Sequence, residues 1–179
     1  MSVPRLDPMP ADRPLTLRSA RTQDVPVIQA LVEPLARERV LLQKEAVAYY
    51  EAIQEFVVAE EADGTLAGFG ALHVMWQDIA EVRTLAVSEA HRGTGVGHLI
   101  IEELLDRARA VGVERVFCLT FEVEFFRRHG FEVMADQSAV DPEVYAELLR
   151  STDEGVAEFL DLARVKPNTL GNTRMIRTL

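Results

Sequence analysis

The chain has 179 residues, and its 29 acidic residues outnumber its 19 lysines and arginines for a net charge of −10. That balance argues against a broad nucleic-acid-binding face, whose electrostatic footprint is basic. Hydrophobic residues make up 48% and charged residues 27%, which suits one globular domain with a sizeable core, and no apolar run is long enough to span a bilayer.

Met1 to Arg13 carries three prolines and no periodicity. It is expected to be a flexible N-terminal tail without the apolar core of a signal peptide, ahead of a single domain over 14–179. Leu15 to Arg18 reads as a strand. Thr22 or Asp24 caps a helix over 26–39, with Val27, Ile28, Leu31, Val32 and Leu35 as its buried stripe. Pro34 should kink or shorten that helix. A second helical segment covers 41–55. Phe56–Ala59 and Thr65–Met75 form a hairpin around Ala62-Asp63-Gly64. A central strand follows from Glu81 to Val87, rich in Val, Leu and Thr. Ser88 to Gly97 is turn material with three glycines. From Val96 the apolar residues Val96, Leu99, Ile100, Leu104 and Ala108 fall at helical spacing. Gly112 sits where a C-terminal cap belongs. Strands over 115–121 and 131–134 flank a short helix over 122–129. Helices over 142–150 and 154–162 precede a last strand over 173–178. No internal repeat and no second domain are expected.

The turn Arg92-Gly93-Thr94-Gly95-Val96-Gly97 is the most informative stretch. Glycines take φ > 0 and let a backbone approach a ligand closely. A helix that starts inside the turn leaves unpaired N–H groups and a positive dipole end. Arg92 adds a charged fork that fits phosphate oxygens. Strand, loop and helix together point to a phosphate or pyrophosphate site. A Walker loop is excluded, because this one ends Gly97-His98-Leu99. A dinucleotide fingerprint is excluded by the spacing and by the lack of a later strand ending in an acid.

The pattern Arg92-x-x-Gly95-x-Gly97 resembles the acetyl-CoA loop of the GNAT acetyltransferases. The preceding Leu85-Ala86-Val87 is similar to the strand along which that family lays the pantetheine arm. The order of elements over 15–134 also resembles the GNAT fold. The fold class implied is α+β in α/β/α layers, a mixed and mostly antiparallel sheet of six or seven strands flanked by helices. Phe125-Phe126-Arg127-Arg128-His129-Gly130-Phe131 is similar to a later motif of the family. Many members carry a tyrosine acid where this chain has Phe126. A phenyl ring cannot donate a proton, so Phe126 is either packing or a wall of the CoA channel.

Four further segments are Leu41-Leu42-Gln43-Lys44, Glu81 to Val87, Phe159 to Leu162 and Lys166 to Met175. Together they resemble the short, single-domain N-acetylglutamate synthases of actinobacteria. The resemblance implies acetyl transfer from acetyl-CoA to the α-amino group of L-glutamate, a cytoplasmic reaction of arginine biosynthesis. Longer relatives carry an amino-acid-kinase domain ahead of the acetyltransferase, and none is visible in these 179 residues.

An α-amino group is largely protonated at neutral pH, so a base is useful. Glu81 is the candidate, by position and by the resemblance. Glu81 and Arg83 share a strand face, roughly 7 Å apart along it; the bland alternative is a structural ion pair with partners across the sheet. Backbone N–H groups along Leu85 to Val87 are candidates for an oxyanion site, one of them splayed by a bulge. Thr120 is a candidate donor to the leaving thiolate. Cys118 is an alternative nucleophile or acid, against the common role of a free cysteine as a small core residue. The two carboxylates of L-glutamate ask for cations or amides. Lys44, Arg83, Lys166 and Arg174 are the candidates, with Asn172 and Thr173 as hydrogen-bond donors.

A single cysteine excludes an internal disulfide and agrees with a reducing cytoplasm. His73, His91, His98 and His129 lack metal-ligand spacing, so no metal is expected. No nucleic-acid or membrane partner is expected, and a homodimer is one possible assembly. Two other readings stand beside the synthase. One is a GNAT enzyme for another amine, such as L-glutamine, a protein N-terminus, a polyamine or an antibiotic. The other is a non-catalytic CoA-binding sensor.

Overall fold

A computed structural model describes residues 14–134, 140–160 and 171–179. The N-terminal tail and Lys166 lie outside the described residues. The chain begins with β1 (Thr16–Ser19), α1 (Val25–Arg37) and α2 (Ala46–Glu51). It continues through β2 (Phe56–Glu60), β3 (Leu66–Val74), β4 (Ile79–Val87) and α3 (Val96–Ala110). Then come β5 (Arg115–Thr120), α4 (Val123–Arg128), β6 (Glu132–Val133), α5 (Pro142–Leu148), α6 (Glu154–Phe159) and β7 (Thr173–Thr178). The strands form one sheet in the order β1-β2-β3-β4-β5-β7-β6. The β4–β5 pair is parallel and the other adjacent pairs are antiparallel. This is the α+β arrangement expected, a mixed and mostly antiparallel sheet of seven strands.

Alternation along the strands sorts side chains onto two faces. One face carries Val57, Ala59, Leu72, Val82 and Cys118, packed under α3 residues such as Ile100 and Leu104. The opposite face is divided. Its first half, with Val58, Phe69 and Ala71, is covered by Val25, Ile28 and Val32 of α1 and Tyr49 of α2. Its second half, with Ile79 and Phe117, is covered by Leu148 of α5 and Val156 and Phe159 of α6. Between these halves the face is charged, and the candidate site lies there.

Several local expectations change. Pro34 lies inside α1, yet the helix runs on to Arg37. The proline falls in its last turn, where little helix remains to break. Val27 is 44% exposed rather than part of the buried stripe. Leu99 on α3 is 46% exposed, while Ile101 and Leu105 are buried in its place. The second helical segment shrinks to α2 and a single 3-10 turn, Ile53–Glu55. Residues before Ala46 form a loop, and Lys44 sits on it.

Candidate active site

The glycine turn has the geometry its residues demand. Gly93 and Gly95 take φ of +76° and +91°, a region costly for residues with a Cβ. Gly95 is the N-cap of the 15-residue α3, so the first N–H groups of that helix open onto the turn. Arg92, Gly93 and Thr94 are exposed. The Thr94 hydroxyl donates to the His91 carbonyl at 2.7 Å. His91 braces the approach. Its Nδ1 lies 2.7 Å from Ser88 Oγ and its Nε2 lies 2.9 Å from the buried Glu61. Val96 is buried and anchors the helix in the core. A Cβ on Gly97 would stand 3.3 Å from the Phe125 ring.

The strand leading to this turn is irregular. Ala71 of β3 pairs with Arg83 and Phe69 with Ala86, so β4 spends one extra residue over that interval. Thr84 takes φ +56° there. This is the expected bulge, placed at Thr84–Leu85. It shifts the alternation, so Leu85 and Val87 pack on the α3 side and Ala86 on the other. The ladder between β4 and β5 stops at Val82–Cys118, although β4 continues to Val87 and β5 to Thr120. A wedge therefore opens between the two parallel strands. Ser88 donates its N–H to Ala67 across β3 at 2.9 Å. By alternation the N–H of Val87 faces the wedge.

Glu81 sits at the mouth of the wedge, opposite His73 on β3 and Phe117 on β5. It is 6% exposed, and its Oε2 has no hydrogen-bond partner. The carboxylate lies against Gly155 of α6, where an added Cβ would come within 2.0 Å of Oε2. Burial raises its pKa to about 7, and Asp153 adds to that push. Arg83, Lys44 and His73 oppose it. Arg83 Nη1 is the nearby cation, at 3.7 Å from Oε2.

Arg83 is committed elsewhere. Its Nη1 donates to Asp153 Oδ2 at 2.8 Å and its Nη2 to Glu55 Oε2 at 3.1 Å. Glu55 Oε1 lies 2.7 Å from His73 Nδ1. Burial disfavours charge on both acids, but His73 and Arg83 hold Glu55 below the ordinary carboxylate range, and Arg83 does the same for Asp153. Two protein carboxylates therefore already take two of the five donors of Arg83, the residue expected to anchor a substrate carboxylate. The bland alternative describes Arg83 well, and Glu81 adds only the 3.7 Å contact to it.

The other expected residues divide by face. Lys44 is half-buried beside the site and lines a cavity of about 340 Å³ with Gln43 and Tyr49. Burial and the nearby Arg83 lower its pKa. Arg174 pairs with Leu119, which puts it on the face of Glu81 near the end of β5. It donates to the Phe159 carbonyl at the end of α6. Thr173 pairs with Thr120 on the opposite face. Asn172 is half-buried just ahead of β7. The Thr120 hydroxyl accepts the Glu122 N–H at 2.8 Å, and its own proton remains to be donated. Cys118 is buried under α3, facing away from Glu81, and burial pushes its thiol pKa well up. That geometry removes it as a nucleophile.

For Phe126 the structure favours packing, one of the two expected readings. The residue is 5% exposed and packs edge-on against Phe131 and Phe125 within the core. Its neighbour Phe125 is the ring that meets the glycine turn. Sequence reasoning missed Phe125, Glu55, Asp153 and Gly155. Thr152-Asp153-Glu154 does carry a helix-start signal, and the Asp153 carboxylate accepts the Val156 N–H at 3.2 Å. Nothing local links Asp153 to Arg83, seventy residues away. Among the described residues no cluster of three or more His, Cys, Asp or Glu is arranged to hold a metal.

The sequence profile of the acetyltransferase (GNAT) family matches residues 27–131. An amino-acid acetyltransferase of Mycobacterium tuberculosis is 52% identical over 172 residues, spanning 95% of this chain and 98% of that protein. The crystal structure of Rv2747 from Mycobacterium tuberculosis in complex with CoA and NLQ superposes with a TM-score of 0.86 at 53% identity, covering 92% and 99% of the two chains. An N-acetylglutamate synthase from Neisseria gonorrhoeae, complexed with coenzyme A and N-acetyl-glutamate, superposes with a TM-score of 0.73 at 25% identity. The match covers 94% of this chain but 36% of that longer one.

Proposed function

The chain belongs to the acetyltransferase (GNAT) family, and we propose that it acetylates the α-amino group of L-glutamate as an N-acetylglutamate synthase. The observation that carries this reading is the buried Glu81 carboxylate at the mouth of the β4–β5 wedge. The similarity to the mycobacterial amino-acid acetyltransferase over nearly its whole length supports it. So do the neighbouring structures that hold CoA. The reaction belongs to arginine biosynthesis in the cytoplasm.

The residues suit an acyl-CoA. Positive-φ glycines, the start of α3 and Arg92 make a cradle for a pyrophosphate. The open edge of β4 beyond Val82 offers backbone groups to an amide-bearing arm. Acetyl-CoA, when bound, supplies the acetyl group as an activated thioester. Glu81, directly or through a water, takes a proton from the substrate ammonium. With a pKa of about 7, its carboxyl is near the optimum for a base at neutral pH. The Val87 and Leu85 N–H groups face the developing oxyanion, and Thr120 donates to the departing sulfur. Lys44 and Arg174, on the Glu81 side of the sheet, meet the carboxylates of L-glutamate. Asn172, half-buried just ahead of β7, is a further hydrogen-bond donor to them.

Thiol release from acetyl-CoA with a panel of amines tests the assignment. Turnover with L-glutamate well above L-glutamine, L-lysine and spermidine is expected. Turnover confined to a cationic amine, or none with any of them, would refute it. Glu81→Gln should lower kcat about 100-fold at pH 7 while acetyl-CoA binding is unchanged. Activity should recover partly at high pH, where the amine is already neutral.

A further inference from the structure

Glu81 is a carboxylate that its neighbouring arginine meets as a long ion pair without hydrogen-bonding it. The 3.7 Å between Arg83 Nη1 and Glu81 Oε2 is outside hydrogen-bond range, although the two side chains leave the same strand face two residues apart. A guanidinium has five donors and reaches for the nearest planar acceptor. Here the nearest acceptors come from other elements. Asp153 enters from the start of α6 and takes Nη1. Glu55 enters from the 3-10 turn ahead of β2 and takes Nη2. His73 in turn holds the second oxygen of Glu55, and its Nε2 lies 3.8 Å from Asp153. The result is a network in which Arg83 hydrogen-bonds Asp153 and Glu55, while Glu81 keeps only the long contact to it and is pressed on the bare backbone of Gly155.

This arrangement has a chemical consequence. A carboxylate that accepts hydrogen bonds from an arginine is stabilised in its charged form and becomes a weak base. The same carboxylate, buried without that donor, holds a proton more readily. We propose that Asp153 and Glu55 are positioning residues that hold the Arg83 guanidinium off the Glu81 carboxylate and thereby keep Glu81 able to accept the substrate's proton. The inference rests on the base role of Glu81. Among the described residues, the charged and titratable groups around Glu81 are Arg83 on its own strand, His73 on β3, Glu55 before β2, Asp153 before α6, Lys44 on the loop before α2 and, on the far face of β5, the Cys118 thiol. Of these, Asp153 and Glu55 compete directly for the guanidinium. Asp153 also raises the proton affinity of Glu81 through its own charge, so both of its effects act in one direction.

The test is the pH dependence of kcat/KM for L-glutamate, whose acid limb reports the free enzyme's base. Asp153→Asn is nearly isosteric and keeps an oxygen for the Val156 N–H, but its amide no longer draws Arg83. The acid limb should move to lower pH by about one unit, the effect of a cation released onto a carboxylate. The plateau rate should fall with it. Glu55→Gln should shift the limb the same way by a smaller amount, and serves where Asp153→Asn fails to fold. A limb that stays within about 0.2 unit of wild type in either folded variant overturns the proposal. A purely structural role would lower the rate and leave the limb in place. Glu81→Gln separates the two layers. Loss of the limb in that variant with no shift in Asp153→Asn defeats the positioning role alone, whereas an unchanged limb in Glu81→Gln defeats the base assignment and the positioning role with it.

Discussion

The glycine turn and the Glu81 cluster stand at opposite ends of one strand, and they are built by different means. The turn is made of backbone. Its groups come from one contiguous run, Arg92 to Gly97, and its shape follows from positive-φ glycines and the start of α3. The cluster is made of side chains. Its charged members come from five separate places: the loop before α2, the turn before β2, then β3, β4 and the start of α6. Backbone sites tolerate almost any side chain that is small enough. Side-chain sites depend on each partner's reach, charge and burial. A change in the cluster should therefore alter proton affinity, whereas a change in the turn should alter ligand affinity and little else.

The largest expected contrast is in stability. Glu81 has a folded-state pKa of about 7 against an ordinary 4.5. An acid whose pKa is raised by folding is favoured in its protonated form. Below pH 4.5 it is protonated in both states and costs nothing. Between 4.5 and 7 the unfolded chain ionises first, so stability falls as pH rises. Above 7 the full cost remains. At about 1.4 kcal/mol per pH unit, the whole span is on the order of 3 kcal/mol. Glutamine does not titrate, so the stability difference between Glu81→Gln and wild type should grow by about 2 to 3 kcal/mol from pH 5 to pH 8 in urea unfolding. A difference that is flat with pH would mean that Glu81 is solvated in solution.

Next in size is Gly155→Ala. The new methyl would meet Oε2 of Glu81 at 2.0 Å, so either α6 or the carboxylate must move. Misplacing a reacting group by about 1 Å costs up to 100-fold in rate, and overpacking costs about 1 to 3 kcal/mol. A kcat lowered 10- to 100-fold with an unchanged KM for acetyl-CoA would keep the two regions separate. Wild-type kcat would show that α6 does not close on Glu81 during turnover.

The same division explains what could be read from the chain alone. The seven strands, the bulge and the turn all leave local marks: alternation, β-branched runs, glycines at fixed spacing. Thr173–Thr178 was legible to the residue, and β2 and β3 nearly so. Glu81 stood out because its strand runs into the turn. Its partners did not. Glu55 looks like the end of a polar helix, and Asp153 looks like a helix cap, which it also is. The commitment of Arg83 to both depends on a tertiary arrangement with no periodicity to betray it. The role of Phe126 stayed open for a related reason. Adjacent rings in Phe125-Phe126 point to different sides of a short helix, and only packing decides which faces the core.

The smallest effect belongs to the turn and should be confined to the cosubstrate. Gly95 takes φ +91°, with open space where a Cβ would be. A side chain there meets no steric wall, so the protein should fold. Aspartate is among the residues that best tolerate a left-handed backbone, at a cost of about 1 kcal/mol. Its charge is the active ingredient. Placed at the N-cap of α3, it would satisfy the helix's free N–H groups from within, and it would repel an incoming pyrophosphate. Gly95→Asp should raise the KM for acetyl-CoA about tenfold or more, with the loss shrinking at high salt. The acid limb of the pH profile should not move. Gly95→Ala, which brings the strain without the charge, should fall between the two. If both variants bind acetyl-CoA like wild type, the turn does not hold the pyrophosphate. If Gly95→Asp moves the acid limb, the two ends of β4 are coupled and the separation between backbone site and side-chain site fails.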